Sequence, residues 1–149
     1  MDLDDKARRR FLCVLGAGAL CPSAVGCGGG PAEPDPIGKV DAGPASDYAA
    51  DTLTPMGTKP VALGRDDAGF YAFTLTCTHE GCNMAVDGFV SFDGVGCGCH
   101  GAQYDGNGHV THGPAEADLV HFAVSIDDAG NVIINGDKQV SKSTRTPVA

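Results

Sequence analysis

Tryptophan is absent from this chain, and aromatic residues make up only 6% of it. Positive charge is scarce too, with 10 Lys and Arg against 19 Asp and Glu, which argues against nucleic acid as a partner. No apolar stripe of helical period runs through the body of the chain, so long amphipathic helices are not expected. The one extended apolar run, Phe11 to Gly26, covers 16 residues. That falls short of the roughly 20 that cross a bilayer. No grouping of nucleophile, acid and base stands out, so the chain is not expected to carry substrate chemistry alone.

The 22 Gly and 9 Pro favour strands and loops, and 149 residues suit one domain with a modest core. The 7 Cys divide sharply. Cys13, Cys21 and Cys27 lie in the N-terminal apolar stretch, whereas Cys77, Cys82, Cys97 and Cys99 sit in two short segments. Without residues 1–26 the chain loses Lys6, Arg8, Arg9 and Arg10 together with Asp2, Asp4 and Asp5. From the totals of 10 and 19, this leaves 6 basic against 16 acidic groups, a net charge of −10. So acidic a domain should dock best on a basic patch.

The informative stretch is the pair Cys77-Thr78-His79-Glu80-Gly81-Cys82 and Cys97-Gly98-Cys99-His100-Gly101. Each offers a thiol and an imidazole, and 17 residues separate His79 from Cys97. Thiolate with imidazole suits zinc or iron–sulfur chemistry and not the hard, oxygen-loving cations. Zinc usually draws both ligands of a pair from a Cys-x2–4-Cys knuckle, which would leave two partners idle here. Two plain disulfides would leave His79 and His100 without a role.

With its spacing C-x-H-x17-C-x-x-H and an additional Cys in each segment, the chain resembles the Rieske iron–sulfur proteins, from about Val61 to Ile134. The resemblance implies a [2Fe–2S] cluster with Cys77 and Cys97 on one iron and His79 and His100 on the other. It also implies a disulfide between Cys82 and Cys99 that ties the two loops together. The ligand choice has a charge logic. Replacing two thiolates by neutral imidazoles makes the oxidised site neutral and eases reduction. Such centres lie at about −150 to +300 mV, against about −400 mV for all-Cys plant-type centres. Family members leave one nitrogen of each ligand imidazole exposed, so the potential is expected to fall as pH rises.

The resemblance also assigns residues around the cluster. Tyr104 would point its hydroxyl at a ligand sulfur. Ala102 stands where high-potential members carry Ser, and it lacks that hydrogen bond to a bridging sulfide, which should lower the potential. Glu80 stands where quinol-oxidising members carry Leu. A carboxylate there adds negative charge near the cluster and fits a lipid-soluble quinol poorly. Gly113-Pro114-Ala115 matches a third loop that covers the cluster. His109, His112 and His121 lie outside the motif and are assigned no chemistry.

Residues 1–26 read as a targeting segment. Arg8-Arg9-Arg10-Phe11-Leu12 fits the twin-arginine pattern, a route that exports folded proteins with cofactors already inserted. A general secretory signal is the alternative. Ala24-Val25-Gly26-Cys27 resembles a lipobox that would place a lipid on Cys27, with residues 27–36 as a flexible linker. An uncleaved signal anchor is the alternative to the lipid.

The domain proper, residues 37–135, is expected to be all-β, built of small stacked antiparallel sheets. Short strands are expected at Ile37–Val40, Asn83–Val86 and Phe89–Phe92. Hairpins are expected around Asp66–Gly69 and Asp127–Gly130. Residues 41–60 show no usable periodicity, and residues 136–149 read as a loose polar tail. The expected role is a one-electron carrier on the periplasmic side of a bacterial membrane. Its partner would be a redox protein, a larger oxidoreductase subunit or a cytochrome. The alternatives are the iron–sulfur subunit of a quinol–cytochrome c reductase and a structural metal-binding lipoprotein. A ring-hydroxylating oxygenase is not expected, because no 2-His-1-carboxylate iron domain is read after the motif.

Overall fold

Short apolar runs punctuated by Asp and Gly turns fold into ten strands and two antiparallel sheets. The computed structural model describes residues 30–148. The twin-arginine segment and Cys27 lie outside the described residues. The larger sheet has the order β1-β10-β9-β4-β3-β2 and the smaller β5-β6-β7-β8. In the larger sheet, β1 is Lys39–Pro44, β2 Thr52–Pro55, β3 Val61–Asp66, β4 Gly69–Thr74, β9 His121–Ile126 and β10 Asn131–Val140. The smaller sheet holds β5, Gly88–Ser91, β6, Gly94–Cys97, β7, Gln103–Asp105, and β8, Val110–His112. Ala45–Asp47 forms the one 3-10 turn among the described residues. No helix in them is long and apolar enough to cross a membrane.

Strand β4 explains how two cores share one sheet. All six of its residues are buried. Side chains alternate across a strand, so Phe70 and Ala72 join Val61, Leu63, Phe122, Val132 and Ile134 on one face. Tyr71 and Phe73 join Leu75, Met84, Val95, Tyr104 and Leu119 on the other, between the sheets. Each fully buried side chain of this size contributes about 1.5–3 kcal/mol. Tyr71 lies across Gly64, where a Cβ would come within 2.2 Å of its ring. Its hydroxyl donates to the Gly106 carbonyl at 3.0 Å, binding the larger sheet to the smaller unit.

Turn chemistry sets the two expected hairpins. Asp66 Oδ1 accepts from the Ala68 and Gly69 N–H groups at 2.9 and 3.1 Å. Asp127 Oδ1 does the same for Ala129 and Asn131, both at 2.9 Å. An Asp side chain bonded to the backbone two residues on is a turn former.

Four expectations need correction. Asn83–Val86 is not a strand. Asn83 Oδ1 accepts from the Ala85 N–H at 3.0 Å and its carbonyl from Asp87 at 2.9 Å, closing a tight turn that drops Met84 into the core. The first strand runs Lys39–Pro44, later than expected, and β2 emerges inside the stretch without periodicity because it pairs with β3. Residues 136–148 are no loose tail. Strand β10 continues past a register break to pair Val140 with His121. Thr146 bridges Phe70, and Arg145 Nε meets Asp66 Oδ2 at 2.6 Å. Residues 30–36, expected as a free linker, lie against the domain: the Ala32 N–H donates to the Thr78 carbonyl at 2.9 Å. The Asp35 N–H also donates to Thr76 Oγ1, at 3.2 Å.

Candidate metal centre

Both cysteine-bearing segments begin where a strand leads out of a core. The first follows β4 through Leu75 and Thr76, and the second is the continuation of β6. They then fold alike. In loop one the Cys77 N–H donates to the Cys82 carbonyl at 2.9 Å and the Gly81 N–H to the Cys77 carbonyl at 2.8 Å. In loop two the Cys97 N–H donates to the Ala102 carbonyl at 2.8 Å and the Gly101 N–H to the Cys97 carbonyl at 3.0 Å. The fifth residue of each is a glycine in the left-handed region, with φ of +77° at Gly81 and +81° at Gly101. Only glycine adopts that conformation at little cost. One turn design is thus used twice.

A disulfide joins the loops, between Cys82 and Cys99. Cys77 and Cys97 are free and buried, with their thiols side by side. Burial pushes the Cys97 thiol up, while the Cys99 and His100 N–H groups at its sulfur work the other way. A buried sulfur with two amide donors suits a thiolate once a cation compensates it. The His79 and His100 rings meet edge to face, their centroids 5.0 Å apart. His79 Nδ1 is buried and has no hydrogen-bond partner among the described residues. A buried imidazole nitrogen without a partner, on a ring set edge to face with a second imidazole, is a ligand atom in waiting. His100 Nε2 instead faces outward, 3.7 Å from Glu80 Oε2. The donor set therefore fits a centre of mixed sulfur and nitrogen ligation.

Tyr104 stands at the base of loop one. Its hydroxyl lies 3.4 Å from Cys77 Sγ and 3.0 Å from Thr78 Oγ1, and it accepts the Thr78 N–H at 3.2 Å. Burial, then the Cys77 side chain, push the phenol up to about 12, so it keeps its proton across the physiological range. Ala102 is fully buried under loop two. The third loop holds the Gly113–Pro114 bond in the cis form. It also closes on loop one, where Thr78 Oγ1 donates to the Ala117 carbonyl at 2.7 Å. Pro114 shares an open concavity of about 290 Å³ with His79 and Gly30.

The histidines outside the motif separate from this group. His109 Nδ1 pairs with Asp118 Oδ1 at 2.7 Å on the surface, and His112 is exposed. His121 is buried beside Phe73, its Nδ1–H donating to the Leu119 carbonyl at 3.2 Å. Its Nε2 has no partner among the described residues, and His121 belongs to no group of three or more possible metal ligands among them.

Residues 38–123 match the family model of the Rieske [2Fe-2S] domain. The chain belongs to the Rieske family. Among curated relatives, the cytochrome b6-f complex iron-sulfur subunit 2 of Synechocystis sp. is 35% identical, over 85% of this chain and 84% of its own. The corresponding subunit of Cyanothece sp. is 32% identical, over 85% and 84%. In the solved complex of reduced oxygenase and oxidized ferredoxin of carbazole 1,9a-dioxygenase, one chain superposes with a TM-score of 0.50. It is 26% identical, and the match covers 69% of this chain and 97% of that one. The all-β Rieske fold carries a [2Fe–2S] cluster here, and its function is one-electron transfer.

Proposed function

We propose that Cys77 and Cys97 hold one iron of the cluster and His79 and His100 the other, in an exported, membrane-tethered electron carrier. The observation that supports the assignment is the pair of identically closed loops, which set two free buried thiols side by side and two imidazoles edge to face, and leave Cys82 and Cys99 to the disulfide. The cluster supplies a reversible one-electron couple. The protein orients the ligands through the loop turns, screens the sulfurs with Ala102 and the third loop, and offers the Tyr104 hydroxyl to the Cys77 sulfur. A donor at sulfur favours the reduced, more negative state.

Export by the twin-arginine route through Arg8 and Arg9, and a lipid on Cys27, complete the reading on the periplasmic side. Mass spectrometry of the mature chain tests both. The named relatives favour a second reading, the iron–sulfur subunit of a larger quinol-oxidising complex. Against it, the Glu80 side chain is 62% exposed beside His100, where an apolar quinol would have to approach. Ala102 has no hydroxyl to raise the potential.

Voltammetry of the cluster-loaded chain against pH decides between them. A reversible wave that falls with rising pH is expected for His79 and His100 ligation. A potential near the top of the range of about −150 to +300 mV would restore the quinol-oxidising reading. A lower one supports a carrier for another donor. A pH-independent wave would overturn the histidine assignment.

A further inference from the structure

Large apolar side chains are mostly hidden in this protein, yet Val86 and Phe89 are 59% and 58% exposed. They lie three residues apart beside loop two. Register explains why Phe89 is held there: it stands opposite Gly96, and its neighbour Gly88 stands opposite Cys97. Its ring covers Gly96 so closely that a Cβ would come within 2.0 Å of it. Gly98 is tied to the same strand by its N–H, which donates to the Asp87 carbonyl at 2.6 Å. Between Phe89 and loop two lies an open concavity of about 420 Å³, floored by Gly96, Cys97, Gly98 and Gly101. A floor of glycines lets a partner approach the Cys97 backbone with no side chain between.

The charge carried by the loops and the small sheet themselves has one sign. No Lys or Arg occurs between Arg65 and Lys138. Within residues 75–118, which form the loops and the small sheet, the charged groups are Glu80, Asp87, Asp93, Asp105, Glu116 and Asp118. Asp87 sits between the two apolar residues and is exposed, as is Asp93 at the far end of the hairpin. Every cation of the described residues belongs to the larger sheet or the segments joined to it. Of these, Lys142 reaches Asp118 Oδ2 at 2.8 Å, and Lys59 follows Thr58, whose carbonyl accepts from Asn83 Nδ2 at 2.9 Å. A second copy of this chain docking through the same face would bring like charge to the patch, and so would an anionic membrane.

We propose that the Val86–Phe89 patch is the docking surface for a basic redox protein whose electron-transfer edge is apolar and ringed by Lys or Arg. The inference rests on the electron-carrier reading above. The apolar pair supplies the desolvated centre of the contact, and the acidic residues supply steering and orientation. The docked partner faces Cys97 across the glycine floor.

Mammalian cytochrome c, a basic protein with a lysine-ringed haem edge, serves as the probe, titrated with the cluster-loaded full chain at several salt concentrations. Binding should weaken steeply with salt, and Phe89→Ser and Val86→Ser should each weaken it at least tenfold. Asp87→Lys should weaken it and flatten the salt dependence, while leaving the voltammetric wave in place. Val86→Ser and Asp87→Lys keep the test open should Phe89→Ser fail to fold. Absence of binding at low salt, or variants that bind as the wild type does, would overturn the proposal. So would a self-association of the chain that Phe89→Ser abolishes. Loss of the wave in the wild type would instead strike the carrier reading itself.

Discussion

Loop one and loop two are closed by the same pair of backbone hydrogen bonds and the same left-handed glycine, yet their surroundings differ. Cys77 and Thr78 are buried. Around them stand the Tyr104 hydroxyl, the Ala117 carbonyl and the Ala32 N–H. In loop two only Cys97 and Ala102 are buried, and Gly98 through Gly101 are exposed. The turn sets where ligand atoms sit, and the surroundings decide what else a loop does. Loop one is held and tuned from within. Loop two is open to solvent, and beyond the hydrogen bond from the Gly98 N–H to the Asp87 carbonyl it leans on the disulfide for what loop one receives from its neighbours.

The sharpest way to break this comparison is to remove the disulfide with the double substitution Cys82→Ser and Cys99→Ser. For a cross-link closing a loop of this length, about 3 kcal/mol of stability should go, read from the urea midpoint. Hydrogen exchange should then rise in residues 97–101 well before 77–81. Equal loosening of both loops would mean that the extra contacts of loop one count for nothing.

Next in size are Gly81→Ala and Gly101→Ala. A side chain at positive φ costs roughly 1–2 kcal/mol, and neither added Cβ would meet an atom closer than 3.9 Å. The two costs should therefore match, and a large difference would show that the two turns are not equivalent.

Tyr104→Phe probes loop one alone. Losing a hydrogen bond worth about 1 kcal/mol more in the reduced state lowers a one-electron potential by about 40 mV, measurable by voltammetry. An unchanged potential would reduce Tyr104 to a packing residue.

The smallest effect lies outside both loops. Burial holds His121 below its ordinary 6.5, and the Leu119 carbonyl only partly offsets that. The folded protein therefore resists a proton that the unfolded chain accepts. Stability should fall as pH drops below 6.5 and be indifferent to His121 above it. His121→Gln should flatten the acid side of the urea-midpoint profile; an unaltered profile would place the acid sensitivity elsewhere.

The loops were legible in the sequence because metal chemistry constrains both residue type and spacing. The hairpins at Asp66 and Asp127 were legible because a carboxylate bonded to its own turn acts over two or four residues. What escaped depended on distant partners. Met84-Ala85-Val86 looks like a strand until Asn83 is seen to cap a turn, and Val86 then emerges into solvent. Strand β2 exists because β3 pairs with it. The C-terminal segment is ordered by Arg145, which reaches Asp66 and Asn107 and lies 4.0 Å above the Tyr71 ring. Local pattern carries no trace of an ion pair formed across 79 positions of sequence.

The segment from Gly30 to Pro36 also changes the mechanics of the molecule. Its hydrogen bond ends on the Thr78 carbonyl, between Cys77 and His79. A pull on the chain ahead of Gly30 would be taken up first at that peptide, before the load reached the larger sheet. Tension on the chain would thus load the peptide that leads into His79.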